Sequence, residues 1–365
     1  MAGDEDFAAW FRLLETPGVG RESARRLLAA CGSPGAVWRS SESTLRGIVG
    51  AAVAKALTSE PPEFAGRLDA ARRWLDGGAD RRALALGDAA YPAALLHTAD
   101  PPLLLYVQGD AALLSHPRGL AIVGSRQPTP QGADNATAFA RELAVQGWLV
   151  VSGLALGIDA AAHTGALAAG APTVAVIGTG PDRVYPARHR ALAQRIAATG
   201  AVVSEYAPGT PPLPENFPPR NRIIAGITRG MLVVEAALRS GSLITARLAS
   251  ECGREVFAVP GSIHSPQSRG CHALIQQGAK LVESAQDILD ELQGTTRPGR
   301  VAAGGIETPD SPLLAALGHD PVTLDALMAR TGEAAATLSA QLLELELIGQ
   351  VARLPGGLYQ RRKAG

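Results

Sequence analysis

A chain of 365 residues with 34 basic and 34 acidic side chains is formally neutral, which excludes a protein that coats nucleic acid by bulk attraction; any anion site must be a local cluster. Hydrophobic residues make up 46% and charged ones 19%, which excludes global disorder and supplies cores for two or three domains. Cys31, Cys252 and Cys271 are an odd, widely spaced set with no Cys-x-x-Cys pair, which excludes a disulfide framework, argues against a metal site and fits a reducing cytosol.

The first six residues are acidic where a signal peptide is basic, and no run of about 18 apolar residues occurs, so a soluble cytoplasmic protein with no membrane contact is expected. Residues 1–80 read as short helices broken by glycine turns: 7–14, then Pro17-Gly18-Val19-Gly20, then 21–30, with Gly47-Ile48-Val49-Gly50 leading into 51–57. The first turn reads as a helix-hairpin-helix, which aims backbone N–H groups at a phosphate without reading sequence. Gly18, Gly20 and Arg21 are then accessory DNA contacts. A SAM-like helical interaction module fits the same pattern.

Residues 84–293 alternate short apolar runs with helical segments. The runs 103–107, 120–123, 149–152, 173–177, 202–204, 231–234, 256–259 and 280–282 are continuous rather than alternating, as strands buried on both faces are. Strand–helix repetition predicts an α/β, doubly wound, Rossmann-like parallel sheet. Several runs end in small polar turns: Gly124-Ser125-Arg126, Ser152-Gly153, Gly178-Thr179-Gly180 and Pro260-Gly261-Ser262. Ligands of open α/β sheets bind beyond the carboxyl ends of the strands, where such turns let backbone N–H groups approach an anion.

Two nucleotide motifs are absent. No Gly-Lys dipeptide exists, so there is no P-loop. In Gly178-Thr179-Gly180-Pro181-Asp182-Arg183 an arginine stands where a dinucleotide site needs its third glycine. No cofactor is expected. Asp159 and His163, four residues apart on one helix, could form a base pair for catalysis or half a metal site, but read better as a helix-start carboxylate with a hydrogen-bonded histidine. Glu205 and Glu235 each follow a strand, and nothing in the sequence places them together.

The densest signal is the loop from Pro211 to Gly226, containing Asn216-Phe217-Pro218-Pro219-Arg220-Asn221-Arg222-Ile223-Ile224-Ala225-Gly226. Arginines offer forked donors to phosphate and Phe217 a face for a base. Ser240-Gly241-Ser242 opens a later helix. Arg126, Arg220 and Arg222 could meet at one sheet edge, or could instead pair with Glu205, Glu215 or Glu235 in a structural network.

The runs Ala121–Arg126, 152–163, 216–226, 233–236 with 240–246, and 256–261 together resemble the DNA-processing protein A (Smf) family over about residues 85–295. His272, in Cys271-His272-Ala273, stands where that family usually shows Asn. The resemblance implies a non-enzymatic protein of natural transformation that binds and shields incoming single-stranded DNA and helps load a RecA-type recombinase. It also implies a homodimer formed through the Rossmann-like domain. Carried over by motif, the DNA site is Gly124, Ser125, Arg126, Phe217, Arg220, Asn221 and Arg222, with Ser240, Gly241 and Ser242 nearby and Ser152 and Gly153 at the same edge.

Residues 294–309, rich in Gly, Thr, Pro and Ala, read as a linker. From 310 to 365, three helical segments and a hairpin about Pro355-Gly356-Gly357 read as a winged helix. The second helix of its helix-turn-helix, the third segment, carries Glu333, Glu344, Glu346 and Gln341 and no basic residue, with Arg353 in the wing and Arg361, Arg362 and Lys363 in the tail. A protein-contact module fits this better than a duplex reader. The alternative to the whole reading is a nucleotide-processing, phosphoribohydrolase-like Rossmann enzyme. Against it, 240–245 lacks the paired glycines of such loops, and Leu243 and Ile244 would crowd a nucleotide.

Overall fold

A computed structural model describes residues 4–61, 63–294 and 311–362. The expected linker beyond Gly294, and Lys363, lie outside these residues. The chain opens with helices α1 (Asp4–Glu15), α2 (Arg21–Cys31), α3 (Pro34–Arg39), α4 (Glu42–Val49), α5 (Ala51–Leu57) and α6 (Phe64–Asp76). Ser33 and Ser41 start α3 and α4 by accepting the Ala36 and Thr44 N–H groups. Gly18 and Gly50 both take positive φ at the two hairpin turns. The helices do not form a separate core. Phe7, Phe11 and Trp74 share one with Leu104 and Tyr106 of the neighbouring sheet.

That sheet begins with β1 (Arg81–Ala85) and β2 (Leu104–Gly109). It continues through β3 (Gly119–Val123), α7 (Pro130–Val145), β4 (Leu149–Ser152), α8 (Ile158–Ala168), β5 (Thr173–Ile177), α9 (Arg190–Thr199) and β6 (Ala201–Ser204). Then follow α10 (Phe217–Gly226), β7 (Gly230–Val233), α11 (Gly241–Glu251), β8 (Glu255–Ala258), α12 (Arg269–Gln276), β9 (Lys280–Leu281) and α13 (Ala285–Gln293). The strand order is β1-β2-β6-β5-β4-β3-β7-β8-β9. From β3 to β6 the chain steps one way, and from β7 to β9 the other, so β3 and β7 flank the topological switch point. Six strand pairs from β6 to β9 are parallel, as expected. The β1–β2 and β2–β6 pairs are antiparallel, which corrects the all-parallel expectation. In β3 every residue is buried and the faces alternate: Leu120 and Ile122 pack towards α7, α8 and α13, Ala121 and Val123 towards α10, α11 and α12. Both faces are therefore apolar, the physical reason the runs read as continuous.

The C-terminal unit comprises α14 (Pro312–Leu317), β10 (Val322–Thr323), α15 (Leu324–Thr331), α16 (Ala335–Leu347), β11 (Val351–Leu354) and β12 (Leu358–Arg361). Thr323 caps α15, accepting the Ala326 N–H. The small sheet runs β10-β12-β11 over a core of its own, including Leu317, Leu327, Leu338 and Leu342. This is a winged helix. It leans on α7: Arg362 makes a two-pronged ion pair with Asp134 at 2.8 and 2.5 Å, and Gln360 donates to Gln131 at 3.0 Å.

Candidate functional site

A cavity of about 520 Å³ opens at the switch point, where open α/β sheets bind ligands. Gly124, Ser125, Arg126 and Gln127 leave β3 along one wall. Phe217, Arg220 and Asn221 of α10 form another, and Arg239, Ser240, Gly241 and Ser242 close it from the turn before α11. The Ser125 N–H donates to the Glu235 carbonyl at 2.7 Å, fastening the two turns together. Ser240 accepts the Ser242 N–H and starts α11, so its hydroxyl is already committed to that helix. The Glu235 carboxylate accepts the Thr129 N–H at 2.9 Å and hydroxyl at 2.5 Å, anchoring the start of α7 behind the wall. Burial lifts its pKa, against the pull of those bonds.

Phe217 is the hub. Its half-buried ring has the Arg126 guanidinium carbon 5.9 Å from its centroid and that of Arg220 6.0 Å away. Gly178 supports it from below, since a Cβ there would lie 2.9 Å from the ring. Arg220 is 4% exposed. Its guanidinium donates to the Gly153 carbonyl at 2.7 Å, to the Val176 carbonyl and to the Asn221 side chain at 3.1 Å. Burial pulls its pKa down to about 10; the nearby Asp159 carboxylate opposes that and Arg126 adds to it. A Cβ at position 153 would meet this guanidinium at 2.7 Å and push it from its place. Arg126, by contrast, is exposed and free to meet an anion.

The sequence-predicted residues separate into two groups. Gly124, Ser125, Arg126, Phe217, Arg220, Asn221, Ser240, Gly241 and Ser242 come together around the cavity. Ser152 and Gly153 do not line it: Ser152 donates to the Ile122 carbonyl inside the sheet, and Gly153 serves as an acceptor for Arg220. Arg222 is the main correction. It is 7% exposed and holds the Glu205 carboxylate with both terminal nitrogens, at 2.8 and 2.5 Å, while its Nε donates to the Asp100 carbonyl at 2.6 Å. Burial works against its charge, but Glu205 and Asp100 outweigh burial and raise its pKa. Arg21 joins the same network, 2.6 Å from Asp100 and 3.4 Å from Glu205, so it ties α2 to the sheet domain. Gly18 and Gly20 shape the hairpin leading to that ion pair, and neither lines the cavity.

Asp159 sits inside the first turn of α8, whose N-cap is Gly157, and accepts the Gly153 and Ala155 N–H groups. His163 pairs with Thr173 at 2.8 Å rather than with Asp159. Burial, with His189 and Arg220 adding to it, pushes its pKa down to about 3, so it is neutral and structural. His272 bonds to the Gly261 carbonyl at 3.0 Å, a bond that braces the turn after β8. Of the two residues expected to crowd a nucleotide, Ile244 lines the cavity and Leu243 packs into the core. Among the described residues, no three His, Cys, Asp or Glu side chains gather as a metal site, and no helix is long and apolar enough to cross a membrane.

Three contributors escaped the sequence reading. Arg239 and Gln267 line the cavity, and Tyr185, 50% exposed, lies with its ring 5.7 Å from Phe217 at 46°. Their signal was present: an arginine in a strand-to-helix turn and a tyrosine before proline in another.

Residues 82–293 match the family model of DNA recombination-mediator protein A. The chain belongs to that family. Residues 302–357 match the DprA winged helix domain. The chain is 44% identical to Protein Smf of Escherichia coli over 284 residues, 75% of this chain and 76% of that one. It is 50% identical to DNA processing protein DprA of Streptococcus pneumoniae over 210 residues, 56% and 72% of the two chains. In three dimensions it resembles the X-ray structure of the pneumococcal DprA with a TM-score of 0.68 at 38% identity, covering 79% of this chain and 98% of that one. It also resembles the Helicobacter pylori DNA processing protein A described for its single-stranded DNA binding mode, with a TM-score of 0.53 at 32% identity, covering 59% and 98%. The DprA family thus spans both the sheet domain and the winged helix.

Proposed function

We propose that this chain binds single-stranded DNA in the switch-point cavity and acts as a recombination mediator in natural transformation. In that role it shields the incoming strand in the cytoplasm and helps a RecA-type recombinase onto it. The observation that carries the reading is Phe217 with two guanidinium groups within 6.0 Å of its ring centre, in a cavity whose rim is made of strand-end turns. A phosphate meets Arg126 at the exposed rim, and a base lies on the ring. Dimerisation through the Rossmann-like domain belongs to the same proposal. Against the nucleotide-processing alternative, the Asp159 carboxylate that lines the cavity already accepts the Gly153 and Ala155 N–H groups.

Titration of matched single- and double-stranded oligonucleotides tests the proposal, and single strands are expected to bind tighter. Arg126→Ala is expected to weaken binding and to flatten the dependence of log K on log salt by about 0.7, the loss of one phosphate contact. An unchanged salt slope with an intact fold would place phosphate capture elsewhere.

Tyr185 extends the aromatic surface beyond Phe217. Tyr185→Ala is expected to weaken single-strand binding by about fivefold or more, while Tyr185→Phe preserves it because the face survives. Equal losses in both variants would tie the effect to the hydroxyl instead of stacking.

A further inference from the structure

The third helix of the winged helix, α16, is apolar on two opposite faces. Leu338 and Leu342 point into the local core and Leu345 packs against it. On the far side Ala336, Ala340, Leu343 and Leu347 are all exposed, Leu343 by 57% and Leu347 by 79%. At about 100° per residue these four fall in one stripe facing away from the core. Their spacing of four, three and four residues is that of the d and a positions of a heptad. Glu344 then occupies the e position and Glu346 the g position, one on each side of the stripe. Glu333 precedes the helix, and no Lys, Arg or His occurs from 331 to 350.

This is the helix a winged helix ordinarily lays in a DNA groove. Here its outer face offers phosphates only carboxylates, which repel them. An exposed apolar seam of this length marks a docking surface. The charges also decide against a second copy of the same helix. A second copy offers no cation at e or g: antiparallel self-pairing brings e to e and g to g, glutamate to glutamate, and parallel self-pairing sets Glu344 against Ser339. We propose that the outer face of α16 docks an amphipathic helix of another protein, with apolar residues at its own a and d positions and Lys or Arg at e and g. The two alanines at the start of the seam let that helix approach closely, and the two leucines at its end supply the buried area. The inference is independent of the single-strand site, whose cavity lies in the sheet domain.

The test uses the full chain and two synthetic helical peptides of about three heptads with leucine at a and d. One carries Lys at e and g, the other Glu. In fluorescence anisotropy titrations the Lys peptide is expected to bind and the Glu peptide to bind at least about tenfold more weakly, the difference shrinking as salt rises. Leu343→Gln with Leu347→Gln should weaken the Lys peptide by about tenfold or more, and Glu344→Lys with Glu346→Lys should reverse the preference. These positions are exposed, so circular dichroism and single-strand binding should stay at parent values. Three results would overturn the proposal. The leucine variant could bind the Lys peptide as the parent does, leaving only unspecific charge attraction. The charge-reversed variant could keep the parent's preference. Sedimentation could show a parent dimer that the leucine variant dissolves, making a second copy the occupant.

Discussion

Arg222→Ala is expected to lower the stability of the sheet domain by about 3–5 kcal/mol, because it leaves the Glu205 carboxylate buried without its forked partner. Both side chains are nearly enclosed, 8% and 10% exposed, so solvent does little to screen the pair. Asp100 loses one of three arginines as well, Arg21 and Arg25 remaining. Chemical denaturation followed by tryptophan fluorescence measures the loss. Arg222→Met with Glu205→Leu should recover much of it, since removing both charges avoids the stranded carboxylate. The protein that remains folded should bind single-stranded DNA with the parent salt slope, because Arg222 does not line the cavity. A stability change under about 1 kcal/mol, or a salt slope flattened as in Arg126→Ala, would return Arg222 to the binding surface.

Phe217→Ala is expected to weaken single-strand binding by about 5- to 150-fold, the loss of one base–aromatic stack, with the salt slope near the parent's. Stacking is not screened by ions, so the two kinds of variant separate cleanly: arginine changes alter slope, and this one alters intercept. Phe217→Trp should largely preserve affinity because the π-face is kept. Gly178→Ala should reproduce part of the loss from below, by pushing a Cβ against the ring. The competing idea, that Phe217 plugs the domain core, predicts several kcal/mol of lost stability instead. A half-buried ring in contact with Tyr185, Arg126 and Arg220 is placed to bind rather than to plug. Thermal melting and DNA titration of one variant decide: a large fall in melting temperature with normal affinity would sink the stacking role.

The parallel part of the central sheet was legible in the sequence. Strands β2 to β9 were legible because burial on both faces leaves short, continuous apolar runs, and the strand-end turns and the Phe217 loop located the cavity. The winged helix was legible from the order of its helices and a Pro-Gly-Gly hairpin. Strand β1 was not, because Arg81 and Arg82 break the apolar pattern at an edge where only part of each side chain needs burial. Nor could the sequence assign Arg220 and Arg222. Two positions apart on a helix, they point about 200° away from one another, and only the docking of α10 decides which meets the cavity and which meets Glu205. Tertiary structure alone also brought Arg21 to Asp100 across the domain boundary and Tyr185 to Phe217 across two loops. Periodicity records which face of an element is dry. It does not record which partner waits on that face, because contacts between distant segments depend on how whole elements pack.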